Sequence, residues 1–461
     1  MSEDSLLSPV WAGTEVSSIT GDRALLRNLL QVEACWGEVL AEAGHAGQQD
    51  AQALRGLADD PEGVEGLAPA ELARAAVGGA NPVIPMLASL RTALKERGAG
   101  ESALHRGATS QDILDSALVL MVRRAGEQML QHGYAAGESL AELAREHRNT
   151  LCAARSLTKH ALPTVFGLRA ATWLDGLTQA SAGLEEALRL LPLQWGGAVG
   201  TQAALVDMAG PSEARELTGQ LAHRLGLPVS RPWHVQRQRL LQVASAAAGL
   251  AAALGKAAGD VLMLQRPEVG ELREPSAVGR GGSSAMPHKQ NPVLSTLIRS
   301  AAIAAPGQLS SLYSAAGAAH DERPDGAWHA EWAPLRELLR LTGGAVSRAQ
   351  ELFSGLEVDT ERMWTNLRTG GDLVVSERLM AALGPEMPGG RETLRQLVVH
   401  SIQDEQNLRD LVKQAFAREG VSAPPDLEEL FDPAEYLGRA GEFIDSSLQE
   451  FEEQHAQRSS R

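Results

Sequence analysis

The segment from Val243 to Gly255 restricts the fold of this chain more than any other. It reads VASAAAGLAAALG, so a helix here carries small, apolar side chains on every face. Such a helix is buried, and its small side chains let neighbouring helices approach closely. One subunit rarely surrounds a helix of this length, so the segment predicts a helix bundle shared between subunits. A surface helix in an alanine-rich chain is the alternative.

Helical periodicity extends along most of the chain. Apolar residues recur at helical spacing over residues 20–57, 113–147, 166–191, 238–264 and 293–313. Several helices of about 25 residues, each roughly 38 Å long, indicate an elongated bundle. No strand pattern is strong enough to predict a sheet. We predict an all-α fold of three helical domains, over residues 1–108, 109–350 and 351–461.

Composition limits the partners and the compartment. The net charge of −16 argues against nucleic acid and anionic membranes as partners. The only cysteines, Cys35 and Cys152, exclude a disulfide framework and show no metal-ligand spacing. No signal-peptide pattern opens the chain, and the longest uncharged run, residues 240–255, is short for a membrane span. We expect a soluble, cytoplasmic protein.

A glycine-rich loop over residues 269–292 interrupts the helices. Its core reads GGSSAMPHKQNP from Gly281 to Pro292. Glycines let the backbone approach a ligand, and prolines stop a helix from forming through the loop. Lys289 and Asn291 offer donors to a carboxylate, and either Ser283 or Ser284 can act as a base if donors stabilise its alkoxide.

Three other clusters have both a structural and a functional interpretation. In HRGATSQD (105–112), Thr109 and Ser110 either cap a helix or hold a carboxylate at its N-terminus. Residues 155–163 form either a solvated charged loop or a binding site, and GGAVGT (196–201) is a turn that can present amides. The sequence has no GxSxG, HExxH, CxxC or Walker pattern, so we predict no metal and no cofactor.

These motifs resemble the signatures of the fumarase/aspartase superfamily. GSSAMPHKQNP is similar to the superfamily pattern GSSxMPxKxNP, and HRGATSQD is similar to HxGxTSxD. GAVGT is similar to the third sequence block of the superfamily. The resemblance extends over residues 8–380. Within the superfamily the chain most resembles bacterial 3-carboxy-cis,cis-muconate cycloisomerases. The segments that carry this likeness are NPVIP (81–85), HALPTVFGL (160–168), RPWHVQR (231–237), GAWHAEW (326–332) and VSERL (375–379).

The resemblance implies a homotetramer with a central bundle of long helices and active sites shared between subunits. It also implies cofactor-free addition or elimination next to a carboxylate of a small di- or tricarboxylate, with Ser283 as the base. Donors fixed before the reaction would stabilise the doubly negative intermediate. The substrate contacts that it implies are Thr109, Ser110, Arg155, Lys159, Thr201, Arg237, Ser284, Met286, Lys289, Asn291 and Arg323.

The second block departs from the superfamily pattern RTHxQxAxP. Leu157 stands where many relatives have a histidine that acts as general acid, and Lys159 stands where they have glutamine. Leucine cannot donate a proton. Substrates with a poor leaving group are therefore disfavoured unless His160 or His105 acts as the general acid instead. Two reactions with a stable anion fit. Cycloisomerisation of carboxymuconate is the first expectation, because the overall likeness favours it. The alternative, which the changes in the second block favour, is a diverged β-elimination that releases nitrite from a nitrosuccinate-type acid.

Two further alternatives stay open. Adenylosuccinate lyase is a third candidate within the superfamily. A helical scaffold that has lost its activity belongs to a different class of protein, and the presence of Ser283, Lys289 and Asn291 argues against it.

Overall fold

The computed structural model describes residues 4–459 and is mostly helical, which confirms the all-α prediction. The α-helices are α1 (Glu15–Ile19), α2 (Asp22–Glu42), α3 (Gln48–Asp59), α4 (Pro69–Ala75), α5 (Val83–Glu96), α6 (Ser110–Glu146), α7 (Phe166–Arg189), α8 (Ala203–Arg224), α9 (Gln238–Leu264), α10 (Val293–Gly317), α11 (Ala327–Ser354), α12 (Thr360–Thr369), α13 (Ser376–Ala382), α14 (Gly390–Gln403), α15 (Leu408–Arg418), α16 (Leu427–Leu430) and α17 (Ala440–Ser459). The strands are β1 (Leu151–Ser156), β2 (Lys159–Val165), β3 (Leu272–Arg273) and β4 (Glu357–Val358). Short 3-10 helices span Ala76–Gly78, Gly371–Val375 and Pro433–Glu435.

The chain divides into two compact units. Unit 1 comprises Met1–Gly133, Gln179–Gly255 and Leu297–Arg348, and unit 2 comprises Tyr134–Thr178, Lys256–Thr296 and Ala349–Arg461. The boundaries fall inside α6, α7, α9, α10 and α11, so each unit gathers segments that are far apart in sequence. The three-domain division at residues 109 and 350 stays a prediction.

The small-residue segment lies in the middle of α9, and within unit 1 its neighbours pack tightly. A side chain on Gly255 would overlap Ala302 of α10, and the Thr342 hydroxyl of α11 donates to the Ala247 carbonyl at 3.2 Å. Small side chains are therefore required for these close contacts. Gly249 and Ala252 of α9 are exposed in the single chain, and the subunit-shared bundle stays a prediction.

α9 is also the one helix among residues 4–459 that is long and apolar enough to cross a membrane. Half of its most apolar window is buried inside the protein. Buried core helices of soluble proteins have the same length and composition.

The expectation of no sheet is wrong in unit 2, which contains two small antiparallel pairs. β1 and β2 form a hairpin in which Arg155 faces His160 and Ser156 faces Lys159, and β3 pairs with β4. The hairpin closes through Leu157 and Thr158, whose φ angles are 49° and 72°. A two-residue turn with both φ angles positive matches the twist of the strands, although glycine or asparagine usually forms it. Residues 155–163, whose sequence fits either a solvated charged loop or a binding site, therefore form the tip and most of the second strand of a hairpin.

A separate apolar core forms within the last third of unit 2. Its fully buried members include Val375, Leu379, Leu394 and Val412, together with Phe431. Most members of this core come from the segment after β4, from α12 to α16, and Ala153 of β1 packs into the same core.

Candidate active site

The start of α6 holds Thr109 and Ser110, both partly buried. The Asp112 side chain accepts a hydrogen bond from the Thr109 backbone N–H at 3.0 Å, and the Asp112 N–H donates back to the Thr109 carbonyl at 2.9 Å. The first turn of α6 is therefore closed by its own acidic residue. The Thr109 hydroxyl accepts a hydrogen bond from the Arg323 guanidinium, which brings two of the expected carboxylate ligands into contact in unit 1.

Asp112 also organises the GGAVGT turn. Its fully buried carboxylate accepts hydrogen bonds from the backbone N–H groups of Gly196 (2.8 Å) and Gly197 (2.9 Å), and one oxygen lies 2.9 Å from His234 Nε2. The amides expected to be available to a ligand thus bind Asp112 instead. A side chain on Gly196 would lie 2.6 Å from His234, so glycine is required there. Thr201, at the end of this turn, is exposed.

His105 is held by a buried carboxylate of α2. Its Nδ1 lies 2.6 Å from Oε1 of Glu33, and its backbone N–H donates to Oε2 at 3.1 Å. Burial lowers the pKa of His105, but the negative charge of Glu33 and its hydrogen bond outweigh this effect, so the pKa lies above its usual value. The imidazole is therefore biased toward the cationic form.

Arg237 lies inside unit 1, where only 4% of the residue is exposed. Its guanidinium donates to Asp115 at 2.7 and 3.1 Å and to Glu331 at 3.0 Å, and it stacks over the Trp233 ring. These contacts occupy most of its donors with protein carboxylates. The part that Arg237 plays in substrate binding stays a prediction.

In unit 2, the glycine-rich loop folds around Ser283. The Ser283 Oγ accepts hydrogen bonds from the backbone N–H groups of Met286 (3.1 Å) and Ala285 (3.4 Å). Hydrogen bonds to the charged form of a group favour that form, so two amide donors make an alkoxide at this oxygen easier to reach. Ser283 is partly buried, whereas Ser284, Met286 and Lys289 are exposed.

Two backbone hydrogen bonds set the shape of this loop. The Asn291 N–H donates to the Gly281 carbonyl at 2.7 Å, and the Lys289 N–H donates to the Met286 carbonyl at 3.0 Å. The loop therefore closes on itself without using the side chains that we expect to bind substrate. The Asn291 side chain is partly buried, beside the start of α10.

Buried carboxylates anchor both ends of the glycine-rich loop within unit 2. Glu274 accepts from the backbone N–H groups of Leu294 (3.0 Å) and Ser295 (2.8 Å), which caps the N-terminus of α10. Glu271 accepts from Arg155 at 2.5 and 3.0 Å and from Asn366 at 2.7 Å. Between these anchors the loop is held by its own turns and by an ion pair between Arg280 and Glu351 of α11.

The hairpin places Arg155, Lys159 and His160 close together near its tip. Arg155 is partly buried and directed at Glu271, whereas Lys159 and His160 are exposed. Leu157, at the turn itself, is 93% exposed. The position where many relatives have a proton donor thus carries an apolar side chain at an open tip.

Sequence reasoning missed several residues that hold these groups in place. Glu33 lies outside every motif, and Glu271 and Glu274 lie in the glycine-rich loop but before its GGSSAMPHKQNP core. None of their partners is adjacent in sequence. Asp112 lies inside the HRGATSQD block, but nothing in that block indicates that its carboxylate binds the GGAVGT turn. A buried acidic residue inside an apolar helical stretch, such as Glu33 in QVEACW, is the signal that could have found one of them.

Gly281→Ala is expected to lower kcat/KM by about tenfold, because an L-residue at positive φ costs about 1–2 kcal/mol. Gly281 has a φ of +75°, and an added Cβ would lie 2.9 Å from the Asn291 carbonyl oxygen. Steady-state kinetics on purified variants measures the effect.

Gly282→Ala is the matched control for this substitution. Gly282 has no positive φ, and an added Cβ there meets no atom within 4 Å. Equal losses in the two variants would show that the loop does not need the backbone geometry of Gly281.

The sequence matches a known protein family. Residues 70–307 match the family described as Lyase. The chain belongs to this lyase family, the fumarase/aspartase superfamily, and is an enzyme of that class.

The similar proteins include lyases and cycloisomerases. The chain is 43% identical to nitrosuccinate lyase from Streptomyces davaonensis, over 97% of this chain and 94% of the relative. It is 37% identical to 3-carboxy-cis,cis-muconate cycloisomerase from Pseudomonas aeruginosa, over 96% of each. The crystal structure of 3-carboxy-cis,cis-muconate lactonizing enzyme from Pseudomonas putida superposes with a TM-score of 0.87 at 32% identity, over 98% of this chain and 100% of that one.

Proposed function

We propose that this enzyme eliminates a stable anion from a carboxylated C4 acid, and that nitrosuccinate is the substrate to test first. The hairpin tip is the observation that carries the reaction class. Leu157 occupies the position of the usual general acid and is exposed, so no proton donor stands at that position. Nitrite leaves as a stable anion and needs no proton, unlike the amine expelled in an adenylosuccinate-type reaction.

Ser283 is the proposed base. Its alkoxide takes a proton from the carbon next to one carboxylate, and the electron pair moves into that carboxylate to give an aci-carboxylate. The pair then returns to form the carbon–carbon double bond, while the C–N bond breaks and nitrite leaves with its electrons. The products are fumarate and nitrite, and the proton remains on Ser283 until solvent removes it.

Fixed donors would stabilise the doubly negative intermediate. Lys289, Asn291 and Ser284 would contact one carboxylate from the loop, beside Met286. Thr109, Ser110 and Arg323 would contact the other, and Thr201 and Arg155 would line the site. We propose that these contacts come from more than one copy of the chain in a homotetramer, which would also cover the exposed face of α9. We further propose a cytoplasmic location and no cofactor.

The identity to a nitrosuccinate lyase is the reason to test nitrosuccinate first. The chain shares 43% of its residues with the nitrosuccinate lyase and 37% with the P. aeruginosa cycloisomerase, over almost the full length of both. The second candidate, cycloisomerisation of carboxymuconate, is supported by the fold similarity to the lactonizing enzyme. In that reaction a carboxylate oxygen is the stable anion.

Parallel assays on the purified enzyme separate these candidates. Nitrite and fumarate formed in equal amounts from nitrosuccinate would support the first, and conversion of carboxymuconate to a muconolactone would support the second. Nitrite release without fumarate would contradict β-elimination, and no turnover of either substrate would contradict both.

Lys159→Gln is expected to lower kcat/KM for nitrosuccinate by about tenfold or more, because a hydrogen bond to a charged group contributes about 1.5–3 kcal/mol. We propose that Lys159 contacts the leaving nitro group, and its exposure near the hairpin tip leaves its charge available. Rates of nitrite release over a range of substrate concentrations measure the loss.

Lys413→Gln is the matched control for Lys159→Gln. It removes another lysine charge from unit 2, where Lys413 binds Glu428 at 2.5 Å. A Lys159→Gln enzyme with unchanged kcat/KM and unchanged substrate preference would remove Lys159 from the site.

A further inference from the structure

The carboxylate of Glu33 is fully buried on α2, and both of its oxygens serve one residue. Oε1 lies 2.6 Å from His105 Nδ1, and Oε2 accepts from the His105 backbone N–H at 3.1 Å. A buried carboxylate is costly unless a charged or hydrogen-bonding partner compensates it. Among the residues that the structure describes, His105 is the only partner of Glu33.

The same helix holds the backbone beside His105. His105 has a φ of 56°, which is rare for a residue other than glycine, and the Trp36 indole N–H donates to the Arg106 carbonyl at 2.7 Å. Strained backbone of this kind persists only where its surroundings enforce it, and it is concentrated at functional sites. Two side chains of α2 therefore enforce the conformation of residues 105 and 106.

The imidazole is left with one nitrogen free. Nδ1 is occupied by Glu33, and within residues 4–459 no partner contacts Nε2. The side chain is 16% exposed, so part of the ring is accessible to solvent. Its charged surroundings are Glu33 on α2, Asp112 on α6 and Arg91 on α5, of which only Arg91 disfavours a positive charge on the ring.

We propose that Glu33 is a positioning residue that fixes the His105 ring, with Nδ1–H facing α2 and Nε2–H left to donate to a carboxylate oxygen of the substrate. The recipient is the carboxylate that Thr109 and Arg323 hold at the start of α6, so this inference rests on the proposed function for its ligand. His105 keeps its proton throughout and acts as a fixed cationic donor. This role is consistent with a leaving group that takes no proton.

Chemical modification of His105 tests the pairing without relying on turnover. Diethyl pyrocarbonate acylates only neutral imidazole, and peptide mass spectrometry measures the rate at each histidine over a range of pH. In Glu33→Gln, the modification of His105 at neutral pH is expected to be about tenfold faster, as for a shift of one pH unit in its titration. His147 in unit 2 is the internal reference, and its rate is expected to stay unchanged.

Two further variants guard against misfolding and non-specific effects. Glu33→Asp keeps the charge on a shorter side chain and replaces Glu33→Gln if that variant fails to fold. Its rate of His105 modification is expected to lie between the rate of the wild type and the rate expected for Glu33→Gln. Glu38→Gln removes another carboxylate from α2, one that binds Arg55 and Arg224 instead, and its His105 profile is expected to match the wild type. An unchanged His105 profile in Glu33→Gln and Glu33→Asp would overturn the proposal.

The substrate contact is tested by protection and by the pH profile of activity. Fumarate is expected to slow modification of His105 in the wild type, and Glu33→Gln is expected to lose kcat/KM at alkaline pH and recover it at lower pH. If Glu33 were purely structural, its substitution would lower kcat/KM at all pH values without shifting the alkaline side of the pH profile. Fumarate protection with no nitrite release would contradict the proposed substrate but support the carboxylate contact, and absence of protection would overturn the contact.

Discussion

Ser283→Ala is expected to reduce kcat for nitrosuccinate by about 10²–10⁴-fold, the range that a positioned general base contributes. Alanine has no oxygen to take the proton, and no other group occupies the place of Oγ between the amides of Ala285 and Met286. KM is expected to change little, because the carboxylate donors of the loop remain. Single-turnover formation of fumarate gives the chemical rate directly.

The structure also indicates that this variant folds. The loop is closed by backbone hydrogen bonds from Asn291 to Gly281 and from Lys289 to Met286, and neither involves the serine side chain. Circular dichroism and the elution volume of the assembly are therefore expected to match the wild type. A loss of activity in a correctly assembled variant isolates the missing hydroxyl.

Ser284→Ala is the adjacent comparison. Ser284 is exposed, and no backbone amide donates to its Oγ among the hydrogen bonds that the structure describes, so its alkoxide lacks the stabilisation available at Ser283. We expect a loss below about tenfold, as for one neutral hydrogen bond. A fully active Ser283→Ala enzyme beside an inactive Ser284→Ala enzyme would transfer the role of base to Ser284.

The long helices could be predicted from sequence because their signal is local. Periodicity over 113–147 and 238–264 matches α6 and α9 to within a few residues. The β1–β2 hairpin could not be predicted in this way. Its turn is Leu157–Thr158 rather than a glycine-containing pair, and Pro163 lies inside its second strand, so both local signals for a hairpin are missing.

The candidate site was predictable only where its residues form motifs. The loop around Ser283 and the start of α6 are contiguous in sequence and were both found. The contacts that fix the site join residues that are far apart in sequence: Asp112 binds amides 84 and 85 residues away, and Glu33 binds His105 across 72 residues. Such contacts depend on how helices pack, which one sequence without its fold does not specify.

Arg237→Met is expected to destabilise the protein by about 3–5 kcal/mol, as when one partner of a buried ion pair is removed. Arg237 is the shared cation between Asp115 and Glu331, and all three side chains are buried. Asp115 keeps the indole N–H of Trp328 at 2.9 Å, whereas Arg237 is the only described partner of the Glu331 carboxylate. The midpoint of urea unfolding and its slope, measured on the assembled enzyme, give the change in free energy.

The loss of stability in Arg237→Met is expected to depend on pH. Burial raises the pKa of Glu331 to about 7 even with Arg237 present, although the arginine opposes this shift. Between the unfolded value, about 4.3, and the folded one, the folded state binds more protons than the unfolded state, so stability falls as pH rises through this window. Without Arg237 the window extends to higher pH, and Arg237→Met is therefore expected to lose more stability at alkaline pH than at mildly acidic pH.

Arg237→Met/Glu331→Gln is the control that assigns the loss to the stranded carboxylate. Neutral glutamine removes the unpaired charge of Glu331. The double variant is therefore expected to regain part of the lost stability and to lose most of the added pH dependence. The alternative, in which Arg237 acts mainly as a substrate ligand, predicts the opposite pattern. Removal of Arg237 would then leave the unfolding midpoint unchanged and raise KM. The unfolding midpoint and KM therefore separate the two roles, because stability is measured without substrate.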